Sequence, residues 1–409
     1  MDVRINPRPL SGTVTPPPSK SMAHRLLIAA ALAEGVSTIR NVALSQDIEA
    51  TLRCITALGC RWEQPEPDVV RIRGIGGRSM DRGDELPRFD CGESGSTLRF
   101  LIPIALAAAG GGVFTGRGRL MERPQNPYFD LFDEKGISHR LEDGALTVRG
   151  VLPGGEYDLP GNVSSQFFTG LLFALPLLDG DSSIVSTTAL ESRDYVAMTI
   201  EVLRTAGIQL SGQPGQRRYP IHSGRFRSFE AAVESDWSQA AFWYAANFPD
   251  GHVNIQGLNP CSVQGDKAID LLYRQLARPG DSKIDVSDCP DLVPPLAVMA
   301  AVRQGTTQLS NAARLRLKES DRLKTTAAML NALGGWAEEG ADNLTIHGVP
   351  QLVGGTVNGA NDHRIVMAAS VAAAHCTGPV TIMGAEAVNK SYHSFFKDYC
   401  ILGGDANGV

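Results

Sequence analysis

The chain has 409 residues, 43% of them hydrophobic and 20% charged, with a formal net charge of −6. That length predicts two domains, each able to bury its own core. The acidic balance argues against a general nucleic-acid binder, which carries a basic excess, but leaves room for a local basic pocket.

The N-terminal "MDVRINPRPLSG" has no apolar stretch of the kind a secretory signal requires. "TVTPPPSKSMAHRLLIAAALAEG", Thr13 to Gly35, begins as a proline spacer and ends as an apolar helix. Lys20, Ser21, His24 and Arg25 stand where that helix should start. The same plan recurs in chain order. It is seen in "ESGSTLRFLIPIALAAAG" ending at Gly110, "NVSSQFFTGLLFALPLLDG" at Gly180 and "ESDWSQAAFWYAANFPDG" at Gly251. "DCPDLVPPLAVMAAVRQG" at Gly305 and "NDHRIVMAASVAAAHCTG" at Gly378 complete six copies. Each polar cluster predicts a helix N-terminus, and each Gly a stop in left-handed conformation. These helices are apolar nearly all round, so they should be buried.

A short strand is expected after each Gly: "VSTIRNV", "GVFTGRG", "SSIVSTT", "HVNIQGL", "TTQLSNA" and "PVTIMGA". An amphipathic second helix follows in most copies, as in "DIEATLRCITALG", "NPYFDLFDEKG", "YVAMTIEVLRTAG" and "SDRLKTTAAMLNALGG". Turn-punctuated strands such as "DVVRIRG" and "GALTVRG" close the unit. The Gly-to-Gly steps of 75, 70, 71, 54 and 73 residues exceed solenoid repeats and suggest pseudo-symmetric globular domains. The predicted class is α/β, two similar domains with three copies each. Residues 1–13 with 228–409 form one, from the N-terminal strand and copies four to six. Residues 14–227 form the other, from copies one to three. The two chain crossings would suit a hinge.

The helix starts are anion sites by backbone chemistry, since they offer unpaired N–H groups and a positive dipole end. Here they also carry cations, which oppose the dipole and so call for a partner. Lys20, Ser21 and Arg25 mark the first copy; Ser94, Gly95, Ser96, Thr97 and Arg99 the second; Ser164, Ser165 and Gln166 the third. Asp288 and Asp291 mark the fifth, and Asp362, His363 and Arg364 the sixth. The second helices add Arg123, then Ser192, Arg193 and Tyr195, then Lys318, Glu319, Asp321 and Arg322, and Lys390. One such cation would be a solvated charge; repetition points to a ligand with several negative charges. Asp291 and Glu319 within these clusters are either ion-pair partners or proton handlers.

Other signals carry less. The seven Cys form no CxxC pair, and their odd number suits free, mostly buried thiols in a reducing cytosol. The eight His lack metal-ligand spacing, so no metal is expected, and His24 and His363 read as structural. "RGIGGRS", Arg73 to Ser79, lacks the Lys and spacing of a phosphate loop. The apolar stretch Phe100 to Phe114 is too short to span a membrane and is broken by Pro and Gly, so a cytoplasmic protein is expected.

"SKSMAHR", "GESGSTLR", "RLMERP", "NVSSQF", "DCPD", "LKESDRL", "NDHR" and "NKSYHSF" occur in that order from about residue 5 to residue 399. The ordered set resembles the 3-phosphoshikimate 1-carboxyvinyltransferase, or EPSP synthase, family. The resemblance implies transfer of the enolpyruvyl group of phosphoenolpyruvate to the 5-hydroxyl of shikimate 3-phosphate. It implies two domains of three βαβαββ units, buried helices inside and sheets outside, that close over the substrates. It implies no metal or organic cofactor, a place in the shikimate pathway, and small-molecule partners of a monomer, without nucleic acid or membrane. By motif, Ser21, Arg25, Ser164, Ser165, Ser192 and Tyr195 would hold shikimate 3-phosphate, and Gln166 would lie between both ligands. Arg123, Arg322, Arg364 and Lys390 would hold phosphoenolpyruvate, with Gly95 letting the backbone approach and Lys20 touching both. Asp291 would accept the hydroxyl proton, Lys318 would orient that hydroxyl, and Glu319, with Lys20, would protonate the methylene carbon.

The sequence departs from the family pattern at Glu93, where many members have Asn, at Ser96 for Thr, and at Arg314, where one branch has Asn. These bear on pocket shape and glyphosate response, not on reaction class. The alternatives are the sister transferase acting on UDP-N-acetylglucosamine, an RNA-end-processing enzyme with related repeats, and a non-catalytic anion-binding member. The first carries a Lys-Asn pair and a Cys-bearing loop, where this chain has Lys20-Ser21 and a Cys-free "TGRGRLMERPQ". Retained Asp291, Glu319 and Lys20 argue against the last.

Overall fold

Apolar and amphipathic helices alternate along the chain, and among the described residues the strands between them pair into six sheets. A computed structural model describes residues 1–76, 85–210 and 215–408. "RGIGGRS" therefore lies partly outside the described residues. The chain divides into two units, Pro18–Glu234 and Met1–Pro17 with Ser235–Val409.

The first unit holds α1 (Lys20–Leu32), α2 (Gln46–Ala57), α3 (Gly95–Ala109), α4 (Asn126–Glu134), α5 (Ser165–Ala174) and α6 (Arg193–Thr205). The second holds α7 (Trp237–Ala246), α8 (Ile269–Leu276), α9 (Val293–Ala301), α10 (Arg322–Ala332), α11 (His363–Ala372) and α12 (Phe395–Ile401). The apolar set is buried: in α1 everything from Met22 to Leu32, and in α9 and α11 every residue. In α8, by contrast, only Ile269 and Leu276 are buried. Within the second unit α7, α9 and α11 pack on one another, so the all-apolar helices form the centre and the sheets lie outside.

Each complete sheet repeats one pattern: a parallel pair, then two antiparallel neighbours. It appears in Arg88–Asp90, Gly111–Thr115, Ala145–Arg149 and Ser138–Glu142. It appears again in Ser282–Asp285, Thr306–Ser310, Asn343–His347 and Trp336–Glu339. All six strands expected after the glycines are present. Among the described residues two sheets are smaller, with three strands (Gly155–Leu159, Ser182–Ser186, Arg218–Ile221) and two (Ser11–Val14, His252–Ile255).

The crossings differ from the expected 13/14 and 227/228, and strand pairing explains why. Glu230–Ala232, just before α7, pairs in parallel with Val36–Arg40 of the first unit, with Ala231 opposite Ile39. Asn41 Nδ2 donates to the Val233 carbonyl at 2.6 Å and Ser19 N to that of Glu234 at 2.8 Å. Ser11–Val14, just before α1, pairs in parallel with His252–Ile255 of the second unit. Each unit thus completes one copy with a strand that directly precedes the other unit's helix in sequence.

Helix ends also depart in part from expectation. Ser19, Ser94, Ser164, Asp236 and Asp362 cap α1, α3, α5, α7 and α11 through their side chains. The fifth copy has no side-chain cap; α9 follows a 3-10 turn, Pro290–Leu292, that contains Asp291. Its carboxylate is therefore available for other work. Of the six glycines only Gly110, at φ 67°, is itself a helix cap. Gly35, Gly180 and Gly305 take positive φ a few residues further on, whereas Gly251 and Gly378 do not. Gly251 has a different need: a Cβ there would lie 2.5 Å from Asn247 Cα.

Pro103 lies inside α3 without ending it. Proline supplies no N–H to the carbonyl four residues earlier, that of Arg99. The Tyr128 hydroxyl fills the gap, donating to the Arg99 carbonyl at 2.9 Å. Gly170 lets α5 approach here, since a Cβ would meet that same oxygen at 2.5 Å. Among the described residues no helix is long and apolar enough to cross a membrane. The seven cysteines are free; five are buried, and Cys261 and Cys400 are exposed.

Candidate active site

The predicted residues gather into two constellations, one in each unit. In the second unit the centre is Arg322, at the start of α10 and only 1% exposed. Its Nη1 donates to Asp291 Oδ1 at 2.9 Å and its Nη2 to Glu319 Oε2 at 2.5 Å. Its other edge holds Asp362, with Nε to Oδ2 at 2.9 Å and Nη2 to Oδ1 at 3.2 Å. One guanidinium therefore ties both candidate proton handlers to its two ends. Four of its five N–H directions are used within the protein, which limits Arg322 as a direct anion ligand.

Asp291 gathers further cations. Arg364 Nη2 lies 2.9 Å from Oδ2, and Lys318 Nζ 3.6 Å from Oδ1. Burial pushes the Asp291 carboxyl up, but Arg364, Lys318 and Arg322 outweigh it and hold the group well below the usual carboxylate range, against Glu319. Arg364 also donates to Ser238 Oγ at 3.1 Å. Lys390 Nζ reaches the Asn361 carbonyl at 2.6 Å.

Burial, helped by Arg322 and Arg314, pushes the Lys318 ammonium down from 10.5 to about 8; Asp291 and Glu319 oppose the fall. Unfolded chains bind this proton more readily, so folding stability from Lys318 is lost below the folded value and rises with pH through the window from about 8 to 10.5. Acylation of Lys318 by an amine-directed reagent, followed residue by residue by mass spectrometry, is expected to reach half its limiting rate near pH 8. Half-saturation at 10.5, as for a solvated lysine, would contradict this environment.

In the first unit, Lys20 opens α1 and its Nζ donates to Asp47 Oδ2 at 2.7 Å, in the first turn of α2. Arg25 is 2% exposed. It spans α1, α5 and α6, donating to the Ser21 carbonyl at 2.7 Å, Thr199 Oγ1 at 2.9 Å, the Tyr195 carbonyl at 3.0 Å and Thr169 Oγ1 at 3.4 Å. Burial pushes its guanidinium down to about 10. Ser164 caps α5, Ser165 is its first residue, and Gln166 Nε2 donates to Ser96 Oγ at 3.0 Å. Ser192 precedes α6 at φ 55°, a left-handed turn that sets the path into Arg193 and Tyr195.

Gly95 is the first residue of α3, and a Cβ there would lie 2.7 Å from Arg123 Nη1. Glu93 turns its carboxylate onto the next loop, where a Cβ at Gly118 would meet Oε2 at 2.7 Å. Arg314 donates to the Ser287 carbonyl. His24 is structural: Nδ1 sits 2.7 Å from Thr51 Oγ1, and burial, then Lys20 and Arg25, push it well below its ordinary value.

Sequence reasoning missed Asp47, and it set Asp362 among the sixth copy's polar residues without giving it a role. Asp47 looks like an ordinary first-turn acid, and nothing local says it faces Lys20. The signal for Asp362 was its place between Asn361 and the "HR" pair. Among the described residues no group of three or more His, Cys, Asp and Glu is placed to hold a metal ion.

The fold is similar to those of solved enolpyruvyl transferases. An EPSP synthase from Acinetobacter baumannii superposes with a TM-score of 0.80 at 25% identity, covering 100% of both chains. The enolpyruvyl transferase NikO from Streptomyces tendae gives 0.77 at 19% identity over 100% of this chain and 98% of that one, a likeness of fold alone. The family described as EPSP synthase (3-phosphoshikimate 1-carboxyvinyltransferase) matches residues 5–399. A 3-phosphoshikimate 1-carboxyvinyltransferase of Clostridium acetobutylicum is 44% identical over 421 aligned residues, 99% of this chain and 98% of that one. The chain belongs to the EPSP synthase family.

Proposed function

We propose that the chain transfers the enolpyruvyl group of phosphoenolpyruvate to the 5-hydroxyl of shikimate 3-phosphate, acting in the cytoplasm as a monomer without a metal or organic cofactor. The hydroxyl oxygen adds to C2 of phosphoenolpyruvate while C3 gains a proton. C3 then loses a proton, the bond from C2 to the phosphate oxygen breaks, and phosphate leaves. The observation that carries this reading is the Arg322 guanidinium holding Asp291 at 2.9 Å and Glu319 at 2.5 Å. Addition across the C2–C3 double bond of an enol phosphate needs a base at the attacking oxygen and a proton-bearing acid at C3, and two carboxyl groups on one guanidinium suit that pair of roles.

Asp291 is the acceptor of the hydroxyl proton. Held low by three cations, it is ionised at neutral pH but a weak base in the free protein. Anionic substrates that share Arg364 and Lys318 relax that hold and strengthen the base. Glu319, with Lys20, delivers the proton to C3, and Lys318 orients the attacking hydroxyl. Arg123, Arg364 and Lys390 carry phosphoenolpyruvate, with Gly95 giving it backbone access, and Arg322 offers it the N–H that its carboxylates leave. Ser21, Arg25, Ser164, Ser165, Ser192 and Tyr195 carry shikimate 3-phosphate, and Gln166 meets both. Two anions repel each other, so this many cations are needed to hold them at reacting distance.

Gly95→Ala is expected to raise KM for phosphoenolpyruvate about tenfold with little change in melting temperature, because the new Cβ displaces the Arg123 guanidinium. An unchanged KM would remove the Gly95–Arg123 pair from the phosphoenolpyruvate site. The activity itself is tested by phosphate release, expected only when both substrates are present. Release with UDP-N-acetylglucosamine in place of shikimate 3-phosphate would overturn the acceptor.

A further inference from the structure

Arg99, one turn into α3, has no part in the roles proposed above, yet it is 5% exposed and richly engaged. Nη1 donates to Gln166 Oε1 at 3.0 Å, Nη2 to the Pro124 carbonyl at 2.9 Å and Nε to Gln125 Oε1 at 3.4 Å. Its guanidinium also lies over the Phe167 ring, 4.7 Å from the centroid. The Tyr128 hydroxyl pins the backbone at Arg99 itself.

A guanidinium has five donors and no acceptor. It can therefore meet only the oxygen of a side-chain amide, and contact with it decides which way the amide faces. Gln166 Oε1 is turned onto Arg99, which leaves Nε2 as the end presented to its surroundings, where it meets Ser96 Oγ at 3.0 Å. For an anionic ligand the difference is large: the NH2 end attracts, whereas the carbonyl end repels. The second amide obeys the same rule. Gln125 Oε1 faces Arg99, and its Nε2 donates at 3.1 Å to the carbonyl of Arg123. The Pro124 contact braces the same three-residue stretch.

We infer that Arg99 is a positioning residue for enolpyruvyl transfer, holding the Gln166 amide with its NH2 edge toward the anionic substrates. The inference rests on the proposed contact of Gln166 with both substrates. Arg99 acts through other side chains, so its loss should matter only while Gln166 is there to be turned.

The test is a double-mutant cycle of Arg99→Met and Gln166→Leu, reading kcat and KM for phosphoenolpyruvate alongside the melting temperature. Each single variant is expected to lower kcat/KM about 10- to 100-fold, mostly through KM, the size of a lost hydrogen bond to a charged group. The double variant is expected within about threefold of the weaker single one, because coupled residues are not additive. Multiplied losses would overturn the inference, since Arg99 would then act independently of Gln166. A silent Gln166→Leu would show instead that the underlying substrate contact is absent, and the inference would fall with it. A lower melting temperature with unchanged KM in Arg99→Met would also overturn it, leaving Arg99 as packing. Should Arg99→Met fail to fold, the same cycle with Arg99→Lys decides. A loss that vanishes beside Gln166→Leu supports positioning, and one that persists overturns it.

Discussion

Asp291→Asn lowers kcat by about 10²- to 10⁴-fold while binding of phosphoenolpyruvate is kept or tightened; this is the range in which a general base contributes. The substitution keeps the size and one acceptor oxygen but removes the charge. Three cations face that charge: Arg322 and Arg364, each at 2.9 Å, and Lys318 at 3.6 Å. Freed from Asp291, they turn more fully to an anionic ligand, so affinity should rise even as turnover collapses. A residue that served only to bind would show the reverse, weaker binding with kcat retained. Calorimetry with phosphoenolpyruvate in the presence of shikimate 3-phosphate, run beside steady-state kinetics, separates the two. Retained turnover would remove Asp291 from the chemistry.

Arg322→Leu destabilises the protein by about 3–5 kcal/mol, the range for breaking a buried ion pair from one side. Asp362 is 0% exposed, and Asp291 and Glu319 share the same guanidinium. Without it these carboxylates remain in a poorly solvated place with less compensation. The effect depends on pH with a definite sign. In the wild type Asp291 is held below its ordinary value of 3.8, so its contribution is present above that value and lost as pH falls through the depressed one. In the variant a carboxylate left uncompensated takes up a proton more readily than in the unfolded chain, so protonation relieves the damage. Urea midpoints should therefore differ more between wild type and variant at about pH 8 than at about pH 5. An equal gap at both would mean that the lost stability is packing rather than charge.

Local patterns carried much of this structure. The apolar runs after each polar cluster became buried helices, and the strands after each glycine formed where expected, because period and punctuation are local properties. Partner choice is not local. Nothing in "SFEAAV" says that Glu230–Ala232 pairs with Val36–Arg40 rather than with the unit it leads into. The caps show the same division: Ser19, Ser94, Ser164, Asp236 and Asp362 follow the local rule, while Asp291, with the same look in sequence, sits in a 3-10 turn and turns to arginines instead.

At the site, residue types announced an anion-binding protein and the motif order announced its family. The geometry added what the motifs omit. Arg322 is largely consumed by carboxylates, Arg25 spends four hydrogen bonds on its own unit, and Asp47 holds Lys20. Arg99 determines which end of Gln166 is offered. None of these could be read from spacing, because each is a contact between elements distant in the chain.

The central claim is an addition and elimination in which C3 of phosphoenolpyruvate becomes a methyl group and then returns to methylene. Turnover in D2O with phosphoenolpyruvate and shikimate 3-phosphate, followed by proton NMR of the product, tests it most directly. The expected product is an enolpyruvyl ether whose vinyl CH2 carries deuterium, formed together with inorganic phosphate. A product with fully protonated CH2, or phosphate released without any enol ether, would contradict it.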